Sequence, residues 1–234
     1  MTPPSLYILL TLNNVENLMS NNTINIALIG YGFVGKTFHA PLIRSVPGLN
    51  LAFVASRDEE KVKRDLPDVT VIASPEAAVQ HPDVDLVVIA SPNATHAPLA
   101  RLALNAGKHV VVDKPFTLDM QEARELIALA EEKQRLLSVF HNRRWDSDYL
   151  GIRQVIEQGT LGAVKHFESH FDRFRPEVRV RWREQNVPGS GLWFDLGPHL
   201  IDQALQLFGL PQSVQGNMPP CATARRSTTE RMWY

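Results

Sequence analysis

From Ile24 onward, short apolar runs alternate with amphipathic stretches in a regular succession. Ile24 to Ile29, Leu49 to Ala55, Val69 to Ala73, Asp85 to Ala90, His109 to Val112 and Leu136 to Phe140 are rich in Val, Ile and Leu, which predicts strands. Between them the polar and apolar positions recur at helical spacing. This predicts helices through Leu42 to Ser45, Asp58 to about Leu66, Pro75 to Gln80, Pro98 to Ala106 and Leu118 to Lys133. Apolar strands without polar alternation are buried on both faces, as in a parallel sheet covered by helices on each side. The fold class is therefore α/β, with a doubly wound parallel sheet. Ligands of such sheets lie outside the carboxyl ends of the strands, so the loops beginning at Gly30, Ser56, Ser74, Ser91, Asp113 and His141 share one rim.

The first of these loops carries Gly30, Gly32 and Gly35, directly after a strand and opening a helix. This is the dinucleotide fingerprint of a Rossmann domain: one glycine for the turn, one for close approach of a pyrophosphate, one for helix packing on the strand. Phe33 and Val34 lie between the last two, where the helix N-terminus offers unpaired N–H groups to an anion. Glycines also occur in ordinary strand-to-helix turns, so the motif draws its meaning from that strand and helix context. The second rim loop reads Ser56-Arg57-Asp58. A guanidinium and a hydroxyl suit the 2′-phosphate of NADP, which is the preferred cofactor, while Asp58 could serve a ribose and keeps NAD open. Ser56 with Glu59 also forms a Ser-x-x-Glu capping box, so Ser56 has a purely structural alternative.

Ser91, Asn93 and His96 follow the fourth strand, in reach of a dinucleotide; the alternative for this loop is to cap the helix near Pro98. Asp113-Lys114-Pro115 ends the fifth strand. A lysine leaving a buried strand onto the rim can donate to a substrate oxygen and exchange a proton, the alternative being a surface lysine before a turn proline. Arg143 and Arg144, in the loop after the last strand, are candidates to bind substrate oxygens or to bridge two domains. If Leu192 to Leu207 is helical, Asp195, His199 and Asp202 fall at i, i+4 and i+7 on one face. His199 then suits proton transfer, with a carboxylate orienting its ring. The alternatives are Asp195 as a helix N-cap, with Pro198 allowing a later helix start, and His199 as a satisfied buried histidine. Trp182 and Trp193 are candidates to line a pocket or simply to pack. No third ligand accompanies these groups, and no metal is expected.

Composition narrows the partners. The 24 basic and 25 acidic side chains give a formal net charge of -1, which offers no global field for nucleic acid or an anionic membrane. A small-molecule partner is expected. One cysteine, Cys221, excludes an internal disulfide framework and fits a reducing cytoplasm. The apolar runs are shorter than the ~20 residues of a membrane span. Residues 1–22 read as a disordered leader, with Met19 as a candidate native start.

Taken together, the glycine turn, Asn93-Ala94-Thr95-His96, Asp113-Lys114-Pro115 and Asp195-Leu196-Gly197-Pro198-His199-Leu200-Ile201-Asp202 resemble the Gfo/Idh/MocA family (glucose-fructose oxidoreductase, inositol dehydrogenase, rhizopine catabolism). The resemblance runs from Ile24 to Val214. It implies a Rossmann domain over residues 23–142 and an α+β domain over 143–216, whose sheet carries substrate and usually a homo-oligomer interface. It implies catalytic roles for Lys114, Asp195 and His199, with Asp113 in place of the commoner glutamate, and a substrate side formed with Arg143, Arg144, Trp193 and Asp202. The reaction implied is hydride transfer between nicotinamide and a hydroxyl or carbonyl of a sugar-like or cyclitol-like polyol. Gly159 to Gly162 and the alternating Ala163 to Phe171 run predict a turn into the first strand of the second sheet. The chain leaves the family pattern near Gly216, and residues 217–234 read as an irregular tail. The second domain is thus expected to be truncated, its sheet incomplete as an oligomer interface. A non-catalytic dinucleotide-binding sensor, or an inactive remnant of such an enzyme, is the alternative.

Overall fold

In the computed structural model, which describes residues 23–171, Gln185 and residues 187–216, six strands form one sheet. They are β1 (Ile24–Ile29), β2 (Leu49–Ala55), β3 (Thr70–Ile72), β4 (Leu86–Ile89), β5 (His109–Asp113) and β6 (Leu137–Phe140). Their order is β3-β2-β1-β4-β5-β6, and every neighbouring pair is parallel. The order reverses between β1 and β4, which opens a crevice at their carboxyl ends. Residues 1–22, Trp182 and the tail 217–234 lie outside the described residues.

β1 shows why the strands are apolar throughout. Ile26, Ala27, Leu28 and Ile29 have no exposed surface. Successive side chains point to opposite faces, so Ile26 and Leu28 join Ile43, Val54 and Val62 on one side. Ala27 and Ile29 meet Val87, Ile89, Leu104 and Leu126 on the other. A polar residue at any of these positions would lose water without gaining a partner, at a cost of about 1–3 kcal/mol.

Helical backbone begins at Phe33 and passes through a wider turn, Gly35–His39, in which the Ala40 N–H reaches the Gly35 carbonyl, before α1 (Ala40–Ser45). The helix expected through Leu42 to Ser45 thus begins directly after the glycine turn, where the fingerprint placed its start. It is followed by α2 (Glu59–Asp65), α3 (Pro75–Val79), α4 (His96–Asn105) and α5 (Met120–Lys133). Side-chain caps fix three of these starts: Asp58 accepts from Lys61 N at 3.0 Å, Ser74 from Ala77 N at 3.2 Å and Asp119 from Glu122 N at 2.9 Å. Each such cap contributes about 1 kcal/mol. α5 ends at Gln134, whose φ of 53° is the left-handed conformation that terminates many helices.

The chain divides into two compact units between Phe140 and His141. The second holds α6 (Ser147–Glu157), which the hydrophobic pattern did not single out, and α7 (Gly191–Phe208). α7 runs unbroken through Pro198, so the later helix start that proline permitted does not occur. Ala163 to Phe171 joins no ladder among the described residues, contrary to the expected strand. Within it Glu168 lies 2.8 Å from His166 and 3.3 Å from His170, the residues two positions to either side. Alternation is a property of the segment, but a strand also needs a neighbour to take its N–H and C=O groups. Among the described residues no helix is long and apolar enough to cross a membrane.

Candidate functional site

The three glycines meet three different constraints. Gly30 has φ +99°, and a Cβ there would lie 2.8 Å from the Ala90 carbonyl oxygen at the end of β4. A Cβ on Gly35 would collide with the Gly30 carbonyl oxygen. Gly32 is the opposite case, since nothing lies within 4 Å of its Cβ position. The first two glycines are demanded by the protein's own packing; the third leaves open space at the rim, beside the start of the helix. There Phe33, Val34 and Gly35 precede the first intrahelical bond, from Lys36 N–H to Gly32 C=O at 3.0 Å. No acidic residue occupies that turn. Open space, early N–H groups and a positive helix end together fit the pyrophosphate of a dinucleotide. The Phe33 side chain is exposed and packs edge to face on Phe38.

The turn is fastened to α2 by a small polar cluster. The Tyr31 hydroxyl donates to Asp65 at 3.3 Å, and the Lys36 ammonium lies 2.7 Å from the same carboxylate oxygen. The Lys36 hydrogen bond holds the Asp65 carboxyl below its ordinary value, while burial and the neighbouring Asp65 push the Tyr31 phenol up.

At the end of β2, Ser56 Oγ accepts from the Asp58 N–H at 3.1 Å and the helix is capped by Asp58, not by Ser56. The capping box drawn from Ser56 and Glu59 is therefore displaced by two residues, because Asp58 places its carboxylate on the Lys61 N–H. Arg57 is exposed and makes no ion pair or hydrogen bond among the described residues.

After β4, the Ser91 and Thr95 hydroxyls are 2.6 Å apart, and Thr95 Oγ1 also donates to the Pro92 carbonyl at 2.7 Å. Asn93 is buried. His96 is 1% exposed and both its ring nitrogens face main-chain carbonyls, Nδ1 that of Pro115 at 2.8 Å and Nε2 that of Ser91 at 3.0 Å. Its ring is thus committed to joining the Ser91 loop to the turn after β5. That turn carries half-buried Lys114, whose N–H donates to Asp113 Oδ1 at 2.6 Å, ahead of a cis bond to Pro115. The loop after β4 and the turn after β5 are therefore one hydrogen-bonded structure, a link that sequence separation hides.

His39 is a residue that sequence reasoning missed. It is 3% exposed, and its Nε2 lies 3.6 Å from Asp113 Oδ2 with no hydrogen-bond partner among the described residues. Leaving a buried polar nitrogen in that state costs about 1–3 kcal/mol. The only sequence signal was a histidine at the foot of the first helix, inside an otherwise apolar face.

The second unit holds the other predicted groups. Asp195, His199 and Asp202 all lie on α7, with His199 buried and Asp195 half-buried. Asp202 takes a bidentate pair of hydrogen bonds from Arg144, Nε to Oδ2 at 2.7 Å and an Nη to Oδ1 at 2.6 Å. His141 Nδ1 is 3.9 Å from the same carboxylate. Arg143 binds Asp146 at 2.6 Å and lies over the Phe171 ring at 4.9 Å. Both of these hydrogen-bonded pairs lie within the second unit. Trp193 is 39% exposed and packs on Gly197, where a Cβ would come within 3.3 Å of the indole. Among the described residues no group of three His, Cys, Asp or Glu side chains is arranged to hold a metal ion.

Comparison with known proteins agrees with this geometry. Residues 24–141 match the model of an oxidoreductase family with an NAD-binding Rossmann fold, and residues 149–230 match the GFO/IDH/MocA C-terminal domain. The chain is 58% identical to the uncharacterized oxidoreductase YdgJ of Escherichia coli (strain K12), over 90% of this chain and 60% of that protein. It is 38% identical to the scyllo-inositol 2-dehydrogenase (NADP(+)) IolW of Bacillus subtilis (strain 168), over 91% of this chain and 58% of that one. A crystal structure of a Klebsiella pneumoniae protein superposes with a TM-score of 0.80 at 89% identity, covering 88% of this chain and 57% of the other. The chain spans less than two thirds of the length of each of these relatives. With its parallel sheet, its glycine turn and both matched domains, the chain belongs to the Gfo/Idh/MocA family of oxidoreductases.

Proposed function

We propose that this protein is an NADP(H)-preferring oxidoreductase that moves a hydride between nicotinamide and a secondary hydroxyl, or the corresponding carbonyl, of a cyclitol or sugar. The observation that carries the reading is the rim itself. Gly32 leaves room for a pyrophosphate at the glycine turn, and Lys114 stands at the end of β5 in the same sheet. Arg57 supports the phosphate preference. It is the exposed cation of the second rim loop, while Asp58 is already engaged at the α2 N-terminus. The cyclitol class comes from IolW, named for scyllo-inositol and NADP(+), and from an inositol 2-dehydrogenase of Rhodococcus jostii, 32% identical over 63% of this chain.

A bound nicotinamide supplies the hydride donor or acceptor. The chain's own residues bind and orient it and handle the proton. Ser91 and Asn93 line the second wall of the dinucleotide cleft. Lys114 in its uncharged form, or His199, takes the hydroxyl proton as the alcohol is oxidised and returns it in reduction, while Asp195 orients the imidazole or a substrate hydroxyl. Trp193 contributes an apolar wall, and Arg143 supplies its cation to substrate oxygens. Arg144 and Asp202 shape the site through their mutual pair.

The test is a fluorescence titration of the chain with NADPH and with NADH, followed by NADP+ turnover on scyllo-inositol with the parent and Lys114→Met. Tighter binding of NADPH, turnover by the parent and its loss in Lys114→Met at nearly unchanged cofactor affinity are the expected results. Unchanged turnover in Lys114→Met would overturn the lysine assignment. The alternative reading is a dinucleotide-binding protein without catalysis. Binding of NADPH with no turnover on any polyol would support that reading instead.

A further inference from the structure

The proposed role of Lys114 requires its amine to be held in one place, and a buried histidine stands on each side of the main chain that carries it, one bonded to that main chain and one facing the carboxylate before it. Downstream, His96 Nδ1 lies 2.8 Å from the Pro115 carbonyl. Upstream, Asp113 divides its carboxylate: Oδ1 takes the Lys114 N–H at 2.6 Å, and Oδ2 faces His39 Nε2 at 3.6 Å. The side chains of His39 and Asp113 are 4% and 10% exposed, so water offers little to either. The imidazole is held from its other side by Phe140, with ring centroids 4.3 Å apart. Phe140 is the register partner of Asp113 in the β5–β6 ladder, so the ring rests across the ends of two adjacent strands.

We infer that His39 is a positioning residue for Lys114, acting through Asp113. A buried carboxylate whose first oxygen is taken by a main-chain N–H needs a donor at its second, and the imidazole N–H is placed to supply it. Closing 3.6 Å to an ordinary hydrogen bond takes a shift of well under 1 Å. His39 also ends the wide turn that starts at Gly35, and Gly35 is seated against the Gly30 carbonyl. Wide turns of this type often occur at functional sites. A continuous path of packed groups thus joins the glycine turn to the lysine: Gly30, Gly35, His39, Asp113, Lys114. This inference rests on the reading of Lys114 as the proton-handling group, yet its mechanical part is measurable without turnover.

The test compares His39→Gln with His39→Asn in the full chain. Glutamine carries an N–H at about the reach of Nε2; asparagine is polar but stops short, near the position of Nδ1. Residue-resolved amide hydrogen exchange is followed at Lys114, with Val54 and Val87 as core controls. His39→Asn is expected to speed exchange of the Lys114 amide by about tenfold with the core amides unchanged, and His39→Gln to keep it within about threefold of the parent. Equal protection of Lys114 in all three proteins, or equal loss in both variants, overturns the inference. His39→Leu extends the series and should behave as His39→Asn. In NADP+ turnover on scyllo-inositol, His39→Asn should lower kcat with the KM for NADP+ unchanged. Lys114→Met separates the two claims: if it still turns over, the functional reading of the lysine fails while the exchange result stands or falls by itself.

Discussion

Replacing Gly32 and Gly35 separately by alanine distinguishes what the glycine turn does for folding from what it does for the dinucleotide. The Gly35 Cβ would overlap the Gly30 carbonyl oxygen, and backbone on both sides must move to relieve it. Overpacking of this kind costs about 1–3 kcal/mol. For a domain of this size that is roughly 4 °C in Tm per kcal/mol, so Gly35→Ala should melt about 4–12 °C below the parent. Gly32 has no atom within 4 Å of its Cβ position and is not among the glycines with positive φ. Alanine there meets no obstacle and trims the freedom of the unfolded chain, so Gly32→Ala should be as stable as the parent or more stable by about 0.4–1 kcal/mol. The same methyl group would occupy the space assigned to the pyrophosphate. Displacing a charge-assisted contact worth about 1.5–3 kcal/mol raises the Kd for NADPH by roughly 10- to 150-fold. Thermal denaturation without cofactor and NADPH titration of both variants measure the two effects. A Gly32→Ala protein that binds NADPH like the parent would refute the placement of the pyrophosphate at this turn.

Three further outcomes follow from particular groups. Arg57→Ala should weaken NADPH by about tenfold or more and leave NADH nearly unchanged, since a guanidinium–phosphate bond contributes about 1.5–3 kcal/mol; equal effects on both titrations would remove Arg57 from the 2′-phosphate. Asp202→Ala should destabilise the second unit by about 1.5–3 kcal/mol in urea denaturation, because Arg144 loses both of its bonds to that carboxylate. The double variant with Arg144→Ala should cost less than the sum of the two single changes, and strict additivity would show that the pair is not coupled. His109 accepts from the Leu136 N–H at 2.9 Å, and burial, with the Arg135 charge, lowers its proton affinity below the ordinary value of 6.5. A lowered value means that the unfolded chain binds the proton first. The contribution of neutral His109 is therefore complete above about pH 6.5 and is lost as the pH falls below it. The parent should lose Tm between pH 6.5 and 5 by more than His109→Asn does, and parallel curves would exclude His109 as the cause.

Much of the first unit was legible because its determinants are local. Runs such as Leu86–Ile89 and Val110–Val112 are apolar on both faces whatever their neighbours, and the helices between them carry their own caps. Gly30 and Gly35 could be assigned their roles from the strand before them and the helix after them, and the structure supplied the steric reason, the Ala90 and Gly30 carbonyls that a Cβ would meet. The capping oxygen before α2 was misplaced by two residues, since Ser56 and Asp58 are both competent acceptors and only the backbone path chooses between them.

In the second unit the sequence carried less. Asp195, His199 and Asp202 fall on one face of α7 by helical arithmetic alone, but that Asp202 is taken by Arg144 depends on a contact across 58 positions. The run from Ala163 to Phe171 has strand alternation, yet whether it pairs is a property of another segment. Sequence by itself thus determined the parallel α/β class, the glycine turn and the position of Lys114 at a strand end, because periodicity and steric need act within a few residues. Tertiary structure alone decided that His96 binds the Pro115 and Ser91 carbonyls, that His39 faces Asp113, and that Arg144 closes on Asp202. Those pairings join elements far apart in the chain, and their energies arise only once burial has removed water as the competing partner.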